Sequence, residues 1–233
     1  MFNRKTFPLK ILTLTALFVS VFTLQKKADA LIKAGAGVGT TGVYVKAGYY
    51  LFNTIGILAE YNDDFGIWNK IIDKTDLSSR LIKGGTGKLD VNTKAYGLIL
   101  SAKPFAAWLP LPFLSAMHLD AGIYNLNYNI GFAFHGDDIT IGGNVYSTDV
   151  DGIYTIAKGW KPYVGLGFDF NPILGLTIDV SAGIFLTGNW KVRKFEVSNE
   201  LVRQSDIDEA KADIEKISLS VFPVVKVGIG YQF

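Results

Sequence analysis

The chain has 233 residues with 25 glycines, 13% aromatic residues, no cysteine, a formal net charge of +2 and a mean hydropathy of +0.26. The near-neutral charge gives no reason to expect nucleic acid as a partner. The lack of cysteine excludes disulfides, thiolate metal sites and a lipid-modified N-terminal cysteine, and the length suits one domain or two small ones.

The first 30 residues are typical of a secretory signal peptide. A basic start precedes an uncharged, largely apolar run over residues 11–24, and residues 28–30 read Ala-Asp-Ala, a small-x-small cleavage site. A membrane anchor is the alternative, but the run is shorter than the ~20 residues that a spanning helix needs. We therefore expect a cleaved signal peptide over residues 1–30 and a mature domain over residues 31–233.

After residue 30, no apolar run approaches the length of a spanning helix. Apolar residues instead alternate with polar or small ones, most clearly over residues 174–186 and 220–233, which indicates strands with two different faces. Only helices and closed barrels satisfy every backbone group inside a bilayer. An integral membrane domain in this chain must therefore be a barrel.

Eight segments are predicted to be strands, and in chain order they are residues 31–38, 42–52, 55–62, 88–103, 113–134, 160–170, 174–186 and 220–233. The connections are shorter after the second, fourth and sixth strands and long after the third, fifth and seventh. This alternation is typical of periplasmic turns and extracellular loops. We predict an all-β, transmembrane, up-and-down antiparallel barrel of about eight strands. A ten-stranded barrel that includes a hairpin over residues 139–146 is the alternative.

Aromatic residues fall at both ends of these strands, as the two girdles of a membrane barrel require. The periplasmic set is Phe52, Phe105, Trp108, Phe113, Phe170 and Phe233, and the outer set is Tyr61, Trp160 and Trp190.

Two segments depart from simple alternation. In the fourth strand, residues 98–100 are all apolar and leave its faces unassigned near the end. In the fifth strand, Leu119 and Ile123 oppose His118 and Asp120, but beyond Tyr124 the parity changes. The apolar residues there are Leu126, Tyr128 and Ile130. A bulge, or emergence of the strand from the membrane, would explain the change.

A short helix is predicted over residues 205–217, in the long connection before the last strand. Four apolar residues recur there at helical spacing, and Ser205 with Asp208 resembles a capping box. We expect the helix to pack on the rim of the barrel. A helix that binds a partner is the alternative.

The inward faces carry many charged residues. The predicted polar network of the lumen is Lys46, Glu60, Lys94, His118, Asp120, Asp169, Asp179 and Lys226. An eight-stranded barrel is just wide enough for side chains to fill it, and buried charges must be paired, so we expect a packed, charge-paired lumen. Several glycines also face inward and leave room. A narrow polar path for small solutes is therefore the alternative.

The chain offers little for catalysis. His118 and His135 are the only histidines. Ser115 lies near His118 in the sequence, but the two residues have opposite parity along a strand. A lipid-modifying enzyme is a third candidate, and we predict no enzymatic activity. No metal-ligand spacing is present, so we expect neither a metal nor a cofactor.

The last segment resembles the insertion signal of Gram-negative outer-membrane barrels. Lys226, Gly228, Tyr231 and Phe233 occupy its polar, glycine and aromatic positions. The resemblance implies recognition by the barrel-assembly machinery, with Phe233 anchoring the final strand.

The region after residue 30 is also similar to a family of small outer-membrane barrels of proteobacteria. The resemblance is carried by residues 37–42 with the strand that follows, by residues 160–169 and by residues 222–233. It implies an outer-membrane location and no defined activity, and we expect outer-membrane lipid and lipopolysaccharide as partners. We expect a monomer with a structural or surface-interaction role.

Overall fold

The structure is a computed structural model that describes residues 30–51, 54–75, 85–106, 112–173, 175–216 and 219–233. All of the predicted signal peptide except Ala30 lies outside these residues. None of the described helices has the length and hydropathy that a membrane-spanning helix needs.

Strands dominate the described part of the chain. In order, the elements are β1 (Ala30–Gly39), β2 (Gly42–Leu51), β3 (Ile55–Asp63), α1 (Ile67–Thr75), β4 (Gly85–Ala102), α2 (Pro112–Ser115), β5 (Met117–Ile141), β6 (Asn144–Ile173), β7 (Leu176–Phe185), β8 (Lys191–Val197), α3 (Gln204–Lys216) and β9 (Phe222–Gln232).

Eight of these strands close into a barrel. Strands β1 to β6 each pair antiparallel with the next in sequence, β7 pairs with β9, and β9 pairs with β1. Closure leaves no sheet edge unpaired around the barrel. The remaining strand, β8, pairs with β6 above the barrel. The predicted eight-stranded antiparallel barrel is confirmed.

The long connection that we predicted over residues 135–159 is strand instead. Strands β5 and β6 continue far beyond the barrel wall and meet at a tight turn, where Gly142 and Gly143 both have positive φ. The predicted hairpin over residues 139–146 is the tip of this single long hairpin. The ten-stranded alternative is therefore wrong, because the tip adds no strand to the barrel.

The outer wall of the barrel is apolar. Ile229 is 66% exposed, and Ile178, Val180 and Val227 also face outward, whereas Lys226, next to Val227, is buried. A continuous exposed band of this kind is unfavourable in water and favourable in hydrocarbon. The alternation of β7 and β9 thus sets one face toward lipid and the other toward the lumen.

Aromatic rows mark both ends of the apolar wall. At one end, the rings of Phe113 and Phe168 stack with centroids 4.7 Å apart. At the other end, Tyr96 packs edge-on against Trp160 at 5.7 Å. Trp190, predicted in the outer row, instead packs against the buried core and donates from its indole N–H to Thr187. Of the predicted aromatic positions, residues 52 and 108 lie outside the described residues.

The long strands build a second unit above the outer aromatic row, which we call the headpiece (residues 85–93, 129–155 and 191–216). Its sheet order is β4, β5, β6 and β8, and α3 packs against β5 and β8. It has its own small core of Ile141, Val150 and Val202, to which residues of β8 and α3 add. The predicted helix is thus present as α3, and it packs along the headpiece. We call the headpiece side the outer end of the barrel and the opposite side the periplasmic end.

The change of pattern in β5 is a change of polarity, and the strand does not change faces. Tyr124, Leu126 and Tyr128 are all fully buried on the same face as His118, and Asn127 faces outward. The register of the β5–β6 pair shifts at Tyr128, because β6 contains an extra residue there. The bulge predicted near this point lies in β6.

Candidate functional site in the barrel lumen

A network of buried ion pairs crosses the lumen near the periplasmic end. Asp169 of β6 pairs with Lys33 of β1 and, at 3.2 Å, with Lys103 just after β4. Asp179 of β7 pairs with Lys46 of β2 at 2.8 Å. Each of these side chains is at most 8% exposed. Because the partners come from strands on different sides of the barrel, the network ties opposite walls together.

His118 lies in the middle of this network. Its Nδ1 is 3.0 Å from Asp120 Oδ1, and its Nε2 is 3.4 Å from Asp179 Oδ2 and 4.0 Å from Asp169 Oδ1. The imidazole therefore contacts three carboxylates contributed by three strands. The hydrogen bond from Nδ1 to Asp120 orients the ring, and Nε2 then faces Asp179 and Asp169 across the lumen.

The charge of the network disfavours an added metal ion. The donor atoms of His118, Asp169 and Asp179 lie within 4.8 Å of one another, as a metal site would require, and no other such group of three exists among the described residues. However, three ammonium groups already pair with Asp169 and Asp179, and Asp120 pairs with His118. The three cations are Lys33, Lys46 and Lys103. A divalent cation would leave the cluster with excess positive charge, so the network is complete as an ion-paired core.

A second ion pair lies nearer the outer end. Lys226 of β9 reaches across the lumen to Glu60 of β3, whose Oε1 also accepts from Asn62 Nδ2 at 2.8 Å. The Lys226 ammonium lies 5.2 to 5.6 Å from three tyrosine ring centroids, within the range of cation–π attraction. These rings belong to Tyr44, Tyr124 and Tyr163. The cation is thus desolvated but surrounded by compensating groups.

Inward glycines accommodate these rings. A methyl group at Gly228 would overlap the Tyr44 hydroxyl, and one at Gly165 would overlap the Tyr163 hydroxyl. The space that glycine provides at these positions is therefore filled by tyrosine. Our alternative reading, in which the glycines leave a path for solutes, does not hold at either position.

An apolar layer closes the lumen at the outer end. Leu126, Tyr128, Phe185 and Val224 are buried in one cluster, with Phe222 packed against it. The ring of Tyr128 meets Phe222 at a centroid distance of 5.4 Å and Phe185 at 6.0 Å. From the periplasmic end outward, the lumen thus contains an ion-pair network, a caged lysine and an apolar layer.

Seven of the eight residues of the predicted polar network face the lumen, and they are Lys46, Glu60, His118, Asp120, Asp169, Asp179 and Lys226. Lys94 does not. Its side chain is 54% exposed on the outer face and pairs with Asp63 at 3.4 Å. Lys94 lies above the outer aromatic row, where polar residues face outward toward water. Its prediction for the lumen is wrong for this reason.

Sequence reasoning missed two members of the network, Lys33 and Lys103. Lys33 lies opposite Gly48 in the β1–β2 pair, so the assigned faces of β2 would have placed it inward. Lys103 follows the inward residues Ile99 and Ser101 at a spacing of two, but the apolar run over residues 98–100 obscured that parity.

The residues of the assembly signal divide between the two faces of β9. Lys226 and Gly228 face the lumen, and Tyr231 faces outward with its ring 4.8 Å from that of Phe233. The backbone N–H of Phe233 donates to Ile32 O at 2.9 Å, next to the seam between β9 and β1. Recognition by the barrel-assembly machinery stays a prediction.

No protein-family model matches the sequence, and no curated protein sequence is similar to it. Among solved structures, the chain is similar to CarO of Acinetobacter baumannii, with a TM-score of 0.61 and 20% identity over 86% of this chain and 97% of that one. CarO2 of the same organism gives a TM-score of 0.63 and 22% identity over 87% and 98%. At these identities the likeness shows the fold, which is that of a small outer-membrane β-barrel.

The fold and the apolar wall between two aromatic rows both indicate a location in the outer membrane. A closed antiparallel barrel with a lipid-facing band is the architecture of bacterial outer-membrane proteins. The predicted outer-membrane location is confirmed.

Proposed function

We propose that this chain is a closed, non-conducting barrel that holds an ordered headpiece at the cell surface, with a structural or surface-interaction role. The observation that carries the proposal is the filled lumen. Asp169 pairs with Lys33 and Lys103 and so connects β6 with β1 and with the end of β4. Nearer the outer end, the pair of Lys226 with Glu60 connects β9 with β3.

Energetics favour a lumen that stays closed. Separating one partner from a buried ion pair costs about 3–5 kcal/mol, because it leaves an uncompensated charge in a low-dielectric interior. A solute crossing the barrel would have to separate both levels of ion pairs and then displace the apolar layer around Tyr128 and Phe185. These barriers act in series.

The headpiece supports a role outside the membrane. A flexible loop would need no core, but here Ile141, Val150 and Val202 are buried together above the membrane. The sheet and α3 therefore present a fixed surface to the exterior. Ordered surfaces bind partners at a lower entropic cost than flexible loops.

The proposal includes no enzymatic role. His118, one of the two histidines in the chain, is 2% exposed, is hydrogen-bonded to Asp120 through Nδ1 and has Asp179 3.4 Å from Nε2. A lipid substrate on the outer wall does not reach it. Incubation with phospholipid or lipopolysaccharide should leave the lipid unchanged.

Planar-bilayer recording tests the closed lumen. We expect the refolded wild-type protein to give no reproducible conductance steps. The matched variant Tyr124→Ala with Lys226→Ala removes a ring and the caged cation from one level, and it should produce small steps if it retains heat-modifiable gel mobility. Wild-type steps equal to those of the variant would contradict the proposal.

A further inference from the structure

Basic residues lie directly above the outer aromatic row, on the outward face of the barrel. The row itself contains Tyr96 of β4 and Trp160 of β6. Two residues nearer the outer end of the barrel, Lys94 lies opposite Asn127 on the neighbouring strand, and Asn127 lies opposite Lys158 on the next one. Adjacent strands are about 4.8 Å apart, so both lysine side chains can reach the space over Asn127. The spacing suits one phosphate group held by two ammonium groups.

A polar groove continues this face into the headpiece. It has a volume of about 620 Å³ and is lined by Asp90, Asn92, Asn129, Gly131, Ile153 and Arg193. Amide, carboxylate and guanidinium groups together offer both donors and acceptors, which is what a sugar with several hydroxyl groups requires. Gly131 and Ile153 add an apolar floor.

The groove and the lysines belong to one connected surface. Asn129 Nδ2 donates to Asn127 Oδ1 at 2.9 Å and links the groove to the lysine row. The basic residues of this face are Lys94, Lys158 and Arg193, and its acids are Asp63, which pairs with Lys94, and Asp90 of the groove. Three positive against two negative groups leave a formal charge of +1, which favours an anionic ligand.

Below the aromatic row, the same face is lipid-facing wall. Leu98 and Ile123 form the next cross-strand pair and are 56% and 48% exposed. A ligand that spans all three zones therefore needs acyl chains, a phosphate at the membrane surface and a sugar above it, in that order.

We propose that this face binds one phosphorylated glycolipid of the outer leaflet. Its acyl chains lie along Leu98 and Ile123, its phosphate lies between Lys94 and Lys158, and its sugar occupies the groove beside Arg193. The site depends on the membrane location and is independent of whether the lumen conducts.

The test measures lipid binding to the folded chain in detergent micelles by native mass spectrometry. The probes are diphosphorylated lipid A, dephosphorylated lipid A and phosphatidylglycerol, which has the phosphate without the sugar. We expect diphosphorylated lipid A to bind most tightly. A basic residue near a membrane surface contributes about 1 kcal/mol, so Lys94→Gln with Lys158→Gln should weaken this binding by roughly thirtyfold.

Two matched variants complete the test. Lys211→Gln with Lys216→Gln removes the same charge from α3 and should leave binding unchanged. Lys94→Arg with Lys158→Arg keeps the charge and should retain most of the binding, which separates charge from packing.

A separate pair of substitutions tests the contribution of the groove to sugar recognition. Asn129→Leu with Arg193→Leu should reduce the preference for lipid A over phosphatidylglycerol. Heat-modifiable mobility confirms that each variant is folded. Equal binding of phosphatidylglycerol and lipid A by the wild type would overturn the proposal, since it would indicate a plain anionic-lipid surface. An unchanged affinity in the double glutamine variant would overturn it as well.

Discussion

The barrel lumen and the headpiece solve the packing problem in opposite ways. The lumen is filled near its periplasmic end by ion pairs such as Lys33–Asp169, under an apolar outer wall. The headpiece has an apolar interior around Ile141 and Val150. What differs is the solvent outside: lipid surrounds the first region and water surrounds the second. The barrel therefore buries charged residues, which lipid does not solvate, and the headpiece buries apolar residues, which water does not solvate.

Strand β5 passes through both regions without changing its parity. In the membrane, Ile123 faces lipid and His118 faces the lumen. Farther along, Asn127 faces out and Tyr128 faces in. The inversion of polarity along one continuous strand marks the membrane boundary to within about two residues. In a barrel sequence, a point where the outward positions change from apolar to polar therefore indicates where the strand leaves the membrane.

The largest expected effect comes from removing a charge in the lumen. Asp169→Ala leaves Lys33 and Lys103 without their shared carboxylate, so the free energy of unfolding should fall by about 3–5 kcal/mol. Urea unfolding from phospholipid vesicles, followed by tryptophan fluorescence, measures this change. The control is Asp213→Ala, which breaks an exposed pair on α3 and should cost about 0–1 kcal/mol. Equal effects of the two variants would show that the lumen pairs are solvated.

A truncation in the headpiece core should act on that region alone. Ile141→Ala removes a side chain that is 2% exposed, and such losses cost about 2–5 kcal/mol. Amide hydrogen exchange in α3 should accelerate, while heat-modifiable mobility of the barrel stays unchanged. Val145→Ala, at an exposed position of the same hairpin, is the control and should leave exchange as it is. Loss of barrel mobility in Ile141→Ala would show that the two regions fold as one.

The same contrast explains what the sequence could and could not predict. Strand number and the faces of β7 and β9 follow from alternation, because these strands lie wholly within the membrane zone. Lys94 was assigned to the lumen because polar residues were assumed to face inward everywhere. That rule fails above the aromatic row. Because Lys94 was placed inward, Ile99, five residues farther along the same strand, could not be recognised as an inward residue.

Other features carry no local signal. Strand β8 is short, and it becomes a strand only because β6 extends upward to pair with it. The contact of His118 with Asp179 joins residues far apart in the chain, and a one-residue change of register would break it. Closure of the barrel, which a single strand pattern does not encode, brings them together.

A smaller effect is expected where α3 meets the tip of the long hairpin. Asp206 accepts hydrogen bonds from Tyr146 and from Asn144, and the bond from Tyr146 lowers the pKa of its carboxyl. A lowered pKa stabilises docking fully above the unfolded value of about 3.9, and the contribution is lost as the pH falls through the folded value. Pepsin cleavage within α3 should therefore increase steeply below about pH 4.

Substitution of this carboxylate sharpens the result. Asp206→Asn cannot titrate, so α3 should be cleaved at a rate with little dependence on pH in that range beyond the protease's own profile. Cleavage of an unstructured peptide measures that profile. If cleavage of the wild type depended on pH in the same way as cleavage of the peptide, Asp206 would not be what holds α3 in place.

The smallest effect is expected at His135, on the exposed surface of the headpiece. A hydrogen bond to Asp149 raises the pKa of the imidazole, because the pair favours the protonated ring. Any stabilisation is present below the ordinary value near 6.5 and is lost as the pH rises through the raised one. Titration of the imidazole by NMR should show a raised pKa that returns toward the ordinary value in Asp149→Asn. An imidazole pKa that stays equally raised in Asp149→Asn would show that this hydrogen bond does not cause the shift.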